Sequence, residues 1–228
     1  DEGVELHSFG ALFSEGRHIA GIIRKVVWRM IIWIARLVKY REFGSRLLQR
    51  GGGLLLPRNQ ARFFHHRSFL EDCTIPRVRF LFCDARDLVF QSNPFNHISP
   101  EGMLLSQEEA SVPLEDNHYN QKWYRETYGD RALELRRKLP VICSGTIGGG
   151  HIQMMEFLKH IERESINRRR RFGADQAIVN HLGVTSPGQN SFIPIEAEPS
   201  GTFTEWIPMK SRSRKEMKSQ INPITYIP

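Results

Sequence analysis

The stretch FLFCDARDLVFQSNPF, residues 80–95, decides the fold that we predict for this chain. It begins inside a short apolar run, VRFLFC at residues 78–83, which is bounded by Pro76 and Asp84. A run of β-branched and aromatic residues between such breaks is typical of a buried strand in a parallel sheet. We therefore expect a strand that carries Asp84 and Asp87 to its carboxyl end, the edge where open α/β sheets bind ligands.

The rest of the chain alternates between helical and strand patterns. Helical apolar spacing is found at residues 59–72, 117–138, 151–166 and 174–182, and the apolar run VICS at residues 141–144 predicts a second buried strand. The glycines at 145 and 148–150 are expected to form a loop that opens the next helix, and those at 51–53 to break the chain. The order of elements predicts an α/β fold with an open, mostly parallel sheet flanked by helices.

Length and composition set the domain organisation. The 228 residues, 40% apolar and 25% charged, are enough for one α/β domain with a packed core. We expect an N-terminal helical part at residues 1–58, a catalytic core at 59–185 and an irregular C-terminal extension at 186–228. The chain begins at Asp1, without an initiator methionine, as if cut from something longer.

Charge, motif content and cysteine content limit the classes of partner and the type of compartment that we expect. The net charge of +7 suits an anionic partner such as a nucleotide phosphate, a nucleic acid or a membrane surface, without choosing among them. No Walker A or GxGxxG motif is found, so neither nucleoside triphosphate hydrolysis nor a dinucleotide cofactor is expected. No recognisable nucleic-acid motif is found either, so no nucleic acid is expected as partner. The three cysteines form no CxxC pair, which argues against a disulfide framework and favours a reducing compartment.

The apolar stretch from Ile19 to Tyr40 allows two interpretations. Five basic residues interrupt it, and at 100° per residue they share an arc of about 140° while the rest of the wheel is apolar. The first interpretation is a core helix with one solvated basic edge. The second is a helix that lies on an anionic membrane with Trp28 and Trp33 as anchors, which predicts peripheral membrane contact.

Two carboxylates at one strand end suggest a metal site. Asp84 and Asp87 lie about one turn apart and could bind a divalent cation through oxygen, with the remaining ligands supplied by water and substrate phosphates. Such a cation offsets the charge that develops on a leaving diphosphate. Arg86, between them, could pair with a carboxylate or a phosphate oxygen. The alternative is a pair of turn aspartates with Arg86 as a local ion-pair partner.

One motif in this chain resembles that of a group of GT-A glycosyltransferases, which use nucleotide-diphosphate sugars. The motif consists of a strand, then Asp-x-Arg-Asp, two apolar residues, Phe-Gln and, after a short polar stretch, Pro-Phe. Asp87 matches the second Asp of that family's metal-binding Asp-x-Asp, and Asp84 matches the first with one residue inserted. The resemblance implies a GT-A sheet, a metal site at Asp84 and Asp87 that holds manganese or magnesium, and a donor-binding Arg86.

Two further segments fit the same resemblance in the family's order. CSGTIGG at residues 143–149 is similar to the loop that closes over the donor sugar, which implies donor-binding roles for Ser144, Gly145 and Thr146. The segment ADQAIVNHL, residues 174–182, is similar to the family's Asp-Gln at a helix start, which implies catalytic roles for Asp175 and Gln176. Taken alone, the first segment is also explained by a glycine-rich turn, and Asp175 by a carboxylate that favours a helix N-terminus.

The resemblance predicts a glycosyltransferase that moves a sugar from a nucleotide-diphosphate donor to a glycan, lipid-linked or protein acceptor. A haloacid-dehalogenase-like phosphatase is the first alternative, because it also places an Asp at the end of an apolar strand with a second Asp nearby. A degenerate, non-catalytic binding domain is the second alternative, suggested by the basic run at residues 168–171.

Overall fold

The computed structural model describes most of the chain between His18 and Gly183 and two short strands beyond it. The described residues are 18–37, 41–73, 79–84, 88–90, 93–96, 98–108, 112–168, 172–183, 195–198 and 204–206. Within them lie seven α-helices and six strands.

The elements have the following bounds. The helices are α1 His18–Leu37, α2 Arg41–Leu55, α3 Arg58–Asp72, α4 His118–Tyr128, α5 Asp130–Glu134, α6 His151–Asn167 and α7 Ala174–Gly183. The strands are β1 Arg79–Cys83, β2 Leu88–Phe90, β3 Met103–Gln107, β4 Ile142–Gly150, β5 Ile195–Glu198 and β6 Thr204–Trp206, with one 3-10 turn at Pro94–Asn96. The predicted helix at 117–138 is divided at Gly129, which has a positive φ of 86°.

The sheet contradicts the predicted fold class. Its strand order is β1-β4-β3-β5, and the central β4 runs antiparallel to both β1 and β3. Among the strands that the structure describes, only the pair β3/β5 is parallel, and β2 pairs with β6 in a separate antiparallel ribbon. The expectation of an open, mostly parallel sheet of GT-A type is therefore wrong, and helices make up most of the described structure.

The apolar run at residues 78–83 suggested a parallel strand for a reason that the structure explains. A continuous apolar run was taken to mean burial on both faces, yet Phe80 is the only buried residue of β1. Phe82 is half-buried and stacks on His66 of α3, with ring centroids 3.9 Å apart. An aromatic edge strand under one helix has the same composition as a central parallel strand, so strand direction could not be read from the run.

The glycines of β4 replace a predicted loop. Gly145 and Gly148–Gly150 belong to the strand, and α6 begins at the next residue, His151. A Cβ on Gly149 would lie 2.8 Å from the sulfur of Met103, and one on Gly150 would overlap the carbonyl oxygen of Pro100. Because Gly149 and Gly150 have no side chain, Met103 and the carbonyl of Pro100 can pack directly against β4.

The three glycines of α2 are also not the break that we predicted. Gly51–Gly53 lie inside the helix, against Trp28 of α1 and Phe64 and His65 of α3. A Cβ on Gly51 would come within 3.0 Å of the Trp28 ring, and one on Gly52 would overlap the ring of Phe64. The need for close helix packing outweighs the low helix propensity of glycine here.

The main core lies between the helices and β4. It joins residues of α3, β3, β4, α6 and α7, including Phe63, Leu105, Ile142, Phe157 and Ile178. A second cluster centres on the fully buried Trp28 and includes Leu55, Leu56, Ala61 and Phe64. The two clusters share α3, which therefore fixes α1 and α2 relative to the sheet. The division of the chain at residues 58 and 185 stays a prediction.

We predict that Gly150→Ala destabilises the fold. Gly150 has an ordinary extended backbone, with φ −69° and ψ 158°, so the cost comes from the overlap of a Cβ with the Pro100 carbonyl. We expect the free energy of unfolding to fall by about 1–3 kcal/mol, as for other overpacked sites. Urea denaturation measures this loss. The exposed Ile152→Ala on α6 is the control, and an equal effect in both variants would contradict the explanation.

We predict that His66→Phe makes the protein less sensitive to acid. Burial, together with the nearby positive charge of Arg62, lowers the pKa of His66 to about 3. Between pH 6.5 and about 3 the unfolded chain therefore binds a proton that the folded chain excludes. The contribution of His66 to the free energy of unfolding is complete above pH 6.5. As the pH falls toward 3, this contribution decreases by up to about 1.4 kcal/mol per pH unit.

Urea midpoints of wild type and His66→Phe, measured across that window, test the prediction. Their difference should change steadily in favour of the variant as the pH falls. His118→Phe changes an exposed histidine of α4 and serves as the control. Parallel curves for wild type and His66→Phe would show that His66 does not titrate differently on folding.

Candidate functional site

The end of β1 and the first half of β4 bring two of the predicted segments together. Because these strands are antiparallel neighbours, Cys83 lies opposite Thr146. The next residue, Asp84, donates its backbone N–H to the carbonyl oxygen of Gly145 at 2.8 Å. Antiparallel pairing therefore places Asp84 beside the Ser-Gly-Thr segment, which lies some sixty positions later in the sequence.

Two amide side chains attach the third segment to β4. Gln176 of α7 accepts the backbone N–H of Ser144 at 2.8 Å and donates to the carbonyl oxygen of Ile142 at 2.6 Å. One turn later, Asn180 accepts the backbone N–H of Ile142 at 2.8 Å and donates to its carbonyl oxygen at 3.2 Å. These bonds satisfy backbone groups at the start of β4 and fix the position of α7, including Asp175 at its N-terminus.

Arg62, on α3, lies at the centre of this arrangement. Its Nη1 donates to Oδ1 of Asp84 at 2.6 Å, and its Nη2 donates to the carbonyl oxygen and Oγ of Ser144 at 2.9 and 3.0 Å. The same Nη2 lies 3.4 Å from Oδ2 of Asp175. One guanidinium group therefore contacts all three segments that the sequence singled out.

Sequence reasoning missed Arg62. It lies between the buried Ala61 and Phe63 in a helix whose apolar spacing was the only feature that we used. A cation between two core positions needs a buried anion or carbonyl as partner, because an isolated charge is costly to bury. That local pattern was the available signal, although it does not show which anions are the partners.

Asp175 is the buried carboxylate of the site. Its residue is 4% exposed, and burial raises the pKa of its carboxyl group, while the positive charge of Arg62 opposes that rise. Backbone N–H groups of Asp175 and Gln176 also lower this pKa, as expected at a helix N-terminus. Asp175 thus combines a hydrogen-bond-accepting group with a fixed position.

Asp84 is the exposed carboxylate of the site. Its side chain is 55% exposed, with Oδ1 on Arg62 and Oδ2 beside Gly145. A Cβ on residue 145 would come within 2.8 Å of Oδ2, so glycine there keeps space around this oxygen. An accessible carboxylate oxygen at a strand end fits one ligand of a magnesium or manganese ion.

The second predicted ligand, Asp87, and the donor-binding Arg86 lie outside the described residues. Among the residues that the structure does describe, no group of three or more His, Cys, Asp or Glu is arranged to hold a metal. The pairing of Asp84 with Asp87 around a cation therefore stays a prediction.

The other predicted site residues lie close to Arg62. Ser144, Gly145, Asp175 and Gln176 form the contacts described above, and the buried Thr146 follows on β4. Gln176 also donates to Glu108 at 2.9 Å, so its three hydrogen bonds hold α7 in place. A catalytic role for Gln176 remains a prediction, and its contacts make it a positioning residue.

Glu108 is a second residue that sequence reasoning missed. It follows β3 and accepts hydrogen bonds from Asn120 at 3.0 Å and Gln176 at 2.9 Å, with Asn117 at 3.4 Å. Burial raises the pKa of Glu108, while the hydrogen bonds from the two asparagines lower it. Glu108 links α4 to α7 through Asn120 and Gln176, the residue next to Asp175.

Comparisons with known proteins add no relative. No protein family, no curated protein and no solved structure matches this chain.

We predict that Arg62 and Asp175 are energetically coupled. Arg62→Met removes the cationic partner of the buried Asp175 carboxylate. Removing one partner of a buried ion pair lowers the free energy of unfolding by about 3–5 kcal/mol. Adding Asp175→Asn to Arg62→Met should then recover part of the loss, with a coupling energy of about 0.5–3 kcal/mol. Urea denaturation of the wild type, both single variants and the double variant measures this coupling.

The control is Arg58→Met, which removes an exposed arginine one turn earlier on α3. It should change stability little and show no coupling to Asp175→Asn. Simple additivity between Arg62→Met and Asp175→Asn would mean that the 3.4 Å contact contributes nothing to stability.

Proposed function

We propose that this protein transfers a sugar from a nucleotide-diphosphate-sugar donor to an acceptor hydroxyl. The observation that supports this function is the meeting of three distant segments at Arg62, namely those of Asp84, Ser144–Gly145 and Asp175. These are the segments that resemble the donor and metal motifs of such transferases. The proposal rests on this site and not on the arrangement of the sheet.

In the proposed reaction, the bond between the anomeric carbon and the diphosphate oxygen breaks, and a bond to the acceptor oxygen forms. The nucleoside diphosphate leaves with the bonding electrons and its negative charge, and the proton of the acceptor hydroxyl passes to the carboxylate of Asp175 or to water. Fixed hydrogen-bond donors and cations that meet the charge developing on the leaving group are the main source of rate enhancement in such steps.

Each described residue has a role in this proposal. Gly145 allows the donor sugar to approach the backbone, because glycine has no side chain to exclude it. Asp175 accepts a hydrogen bond from a sugar or acceptor hydroxyl and thereby orients it. Arg62 is a positioning residue that holds Asp84 and Asp175 at fixed separations from Ser144.

A divalent cation fits Asp84, whose carboxylate is half-exposed at the strand end. When bound there with Asp87, manganese or magnesium would offset the charge on the leaving diphosphate. The contact between Arg62 and Oδ1 holds Asp84 in position and leaves Oδ2 as the oxygen nearer to Gly145.

We predict that Asp175→Asn removes turnover without removing donor binding. Donor hydrolysis, with water as acceptor, should fall by about 100-fold or more, because amides are poor substitutes for an orienting or proton-accepting carboxylate. The rise in melting temperature on adding nucleotide-diphosphate sugar with manganese should persist. Asp130→Asn, an exposed aspartate at the first position of α5, is the matched control.

Asp87→Ala gives the second half of the same experiment. We expect it to abolish the part of the donor-induced thermal shift that depends on manganese. Unchanged metal-dependent binding in Asp87→Ala, or unchanged hydrolysis in Asp175→Asn, would refute these assignments. Phosphate-ester hydrolysis without any sugar transfer would favour the phosphatase, and donor binding without turnover would favour a non-catalytic binding domain.

A further inference from the structure

Helix α1 has two apolar faces, and one of them packs against α2 and α3 within the part of the chain that the structure describes. Trp28 is fully buried against α2 and α3, with Ile31 and Ile32 half-buried beside it. On a helical wheel of 100° per residue, these side chains share an arc of about 100°. This face anchors α1 to the rest of the chain.

The opposite face of α1 is an apolar surface that the described structure leaves exposed. Its eight side chains are 37–65% exposed and share an arc of about 140° on the wheel: Ile22, Ile23, Val26, Val27, Met30, Trp33, Ile34 and Leu37. Trp33 is the most exposed of them, at 65%. A continuous apolar stripe of this length on a surface helix marks an interaction site.

Basic residues border this apolar surface, and acidic residues are absent from the helix. Lys25 and Arg29 are exposed along one edge, next to Ile22 on the wheel. The sequence of α1, HIAGIIRKVVWRMIIWIARL, contains no Asp or Glu. The partner surface must therefore be apolar where it meets the stripe and negatively charged where it meets the edge.

We propose that the apolar surface of α1 lies in the interface of an anionic membrane. An apolar face with tryptophan, flanked by lysine and arginine, is the arrangement by which helices bind such interfaces in the membrane plane. A second copy of this chain fits less well, because it would bring the same basic edge and no acidic residue of α1 to neutralise it. Of the described helices, none is long and apolar enough to cross a membrane.

Membrane binding by α1 does not depend on the proposed glycosyl transfer. It does predict where in the cell that reaction would take place, namely at a membrane surface. The site around Arg62 lies on α3, which packs against α2, which in turn packs against α1. Membrane binding by α1 would therefore hold the site near acceptors that are embedded in the same lipid surface.

Cosedimentation of the whole chain with vesicles tests this inference. We expect binding to vesicles of phosphatidylcholine with phosphatidylserine, weaker binding to phosphatidylcholine alone, and loss of the difference at high salt. Met30→Ser with Trp33→Ser removes two exposed apolar groups and should reduce binding at least tenfold. Leu135→Ser with Ile152→Ser, two exposed apolar residues elsewhere, is the matched control and should bind like the wild type.

The basic edge is tested separately by Lys25→Gln with Arg29→Gln. Each basic group near an anionic surface contributes about fivefold to binding, so the pair should weaken binding to the mixed vesicles by about 30-fold. Lys122→Gln with Arg131→Gln removes two exposed charges from α4 and α5 and is the control for net charge.

Two outcomes would overturn the proposal. One is vesicle binding by the α1 variants that equals that of their controls. The other is self-association of the wild type in lipid-free buffer that disappears in Met30→Ser with Trp33→Ser, which would assign the surface to a second copy. Because all variants change exposed side chains, retained circular dichroism and melting temperature confirm that they still fold.

Discussion

The guanidinium group of Arg62 is the interaction on which the site depends. It binds the carbonyl oxygen of Ser144 while it pairs with Asp84 and Asp175. Without a cation at this point, Asp175 would be a buried carboxylate that helix N–H groups alone could not keep ionised at modest cost. One side chain of α3 thus joins the end of β1, the start of β4 and the start of α7.

Around this cation, side-chain amides form the hydrogen bonds to the β4 backbone that a neighbouring strand would usually form. Gln176 and Asn180 satisfy backbone groups of Ile142 and Ser144, so α7 substitutes there for a neighbouring strand. Such side-chain bonds are more specific than a backbone ladder, because a shift of α7 by one residue would break all of them. A hydrogen bond from Gln176 to Glu108 adds a further constraint on the position of this side chain.

The sequence was enough to predict the helices near 59–72, 151–166 and 174–182 from their apolar spacing, and the strands that start near 79 and 142 from their short apolar runs. It was not enough to predict strand direction, since β1 has the same residue types whether its neighbours run parallel or antiparallel. The roles of Gly51–Gly53 and Gly148–Gly150 were missed because they are set by atoms distant in sequence, such as the ring of Phe64 and the carbonyl of Pro100.

For the site, motif resemblance identified Asp84, Ser144, Gly145 and Asp175, which the structure places together. It did not identify Arg62 or Glu108, because neither lies in a motif and their partners are known only once the chain is folded. Strand pairing and helix docking determine those contacts, and they bring Arg62 to Ser144 and Glu108 to Gln176 across 82 and 68 residues of chain.

The glycine-rich helix α2 has a consequence for the order in which the protein assembles. Three successive glycines carry a combined propensity deficit of about 3 kcal/mol relative to alanine, so this segment cannot hold a helix in isolation. Packing against the rings of Trp28 and Phe64 offsets this deficit in the folded protein. Helices α1, α2 and α3 are therefore expected to fold together, as one cooperative unit.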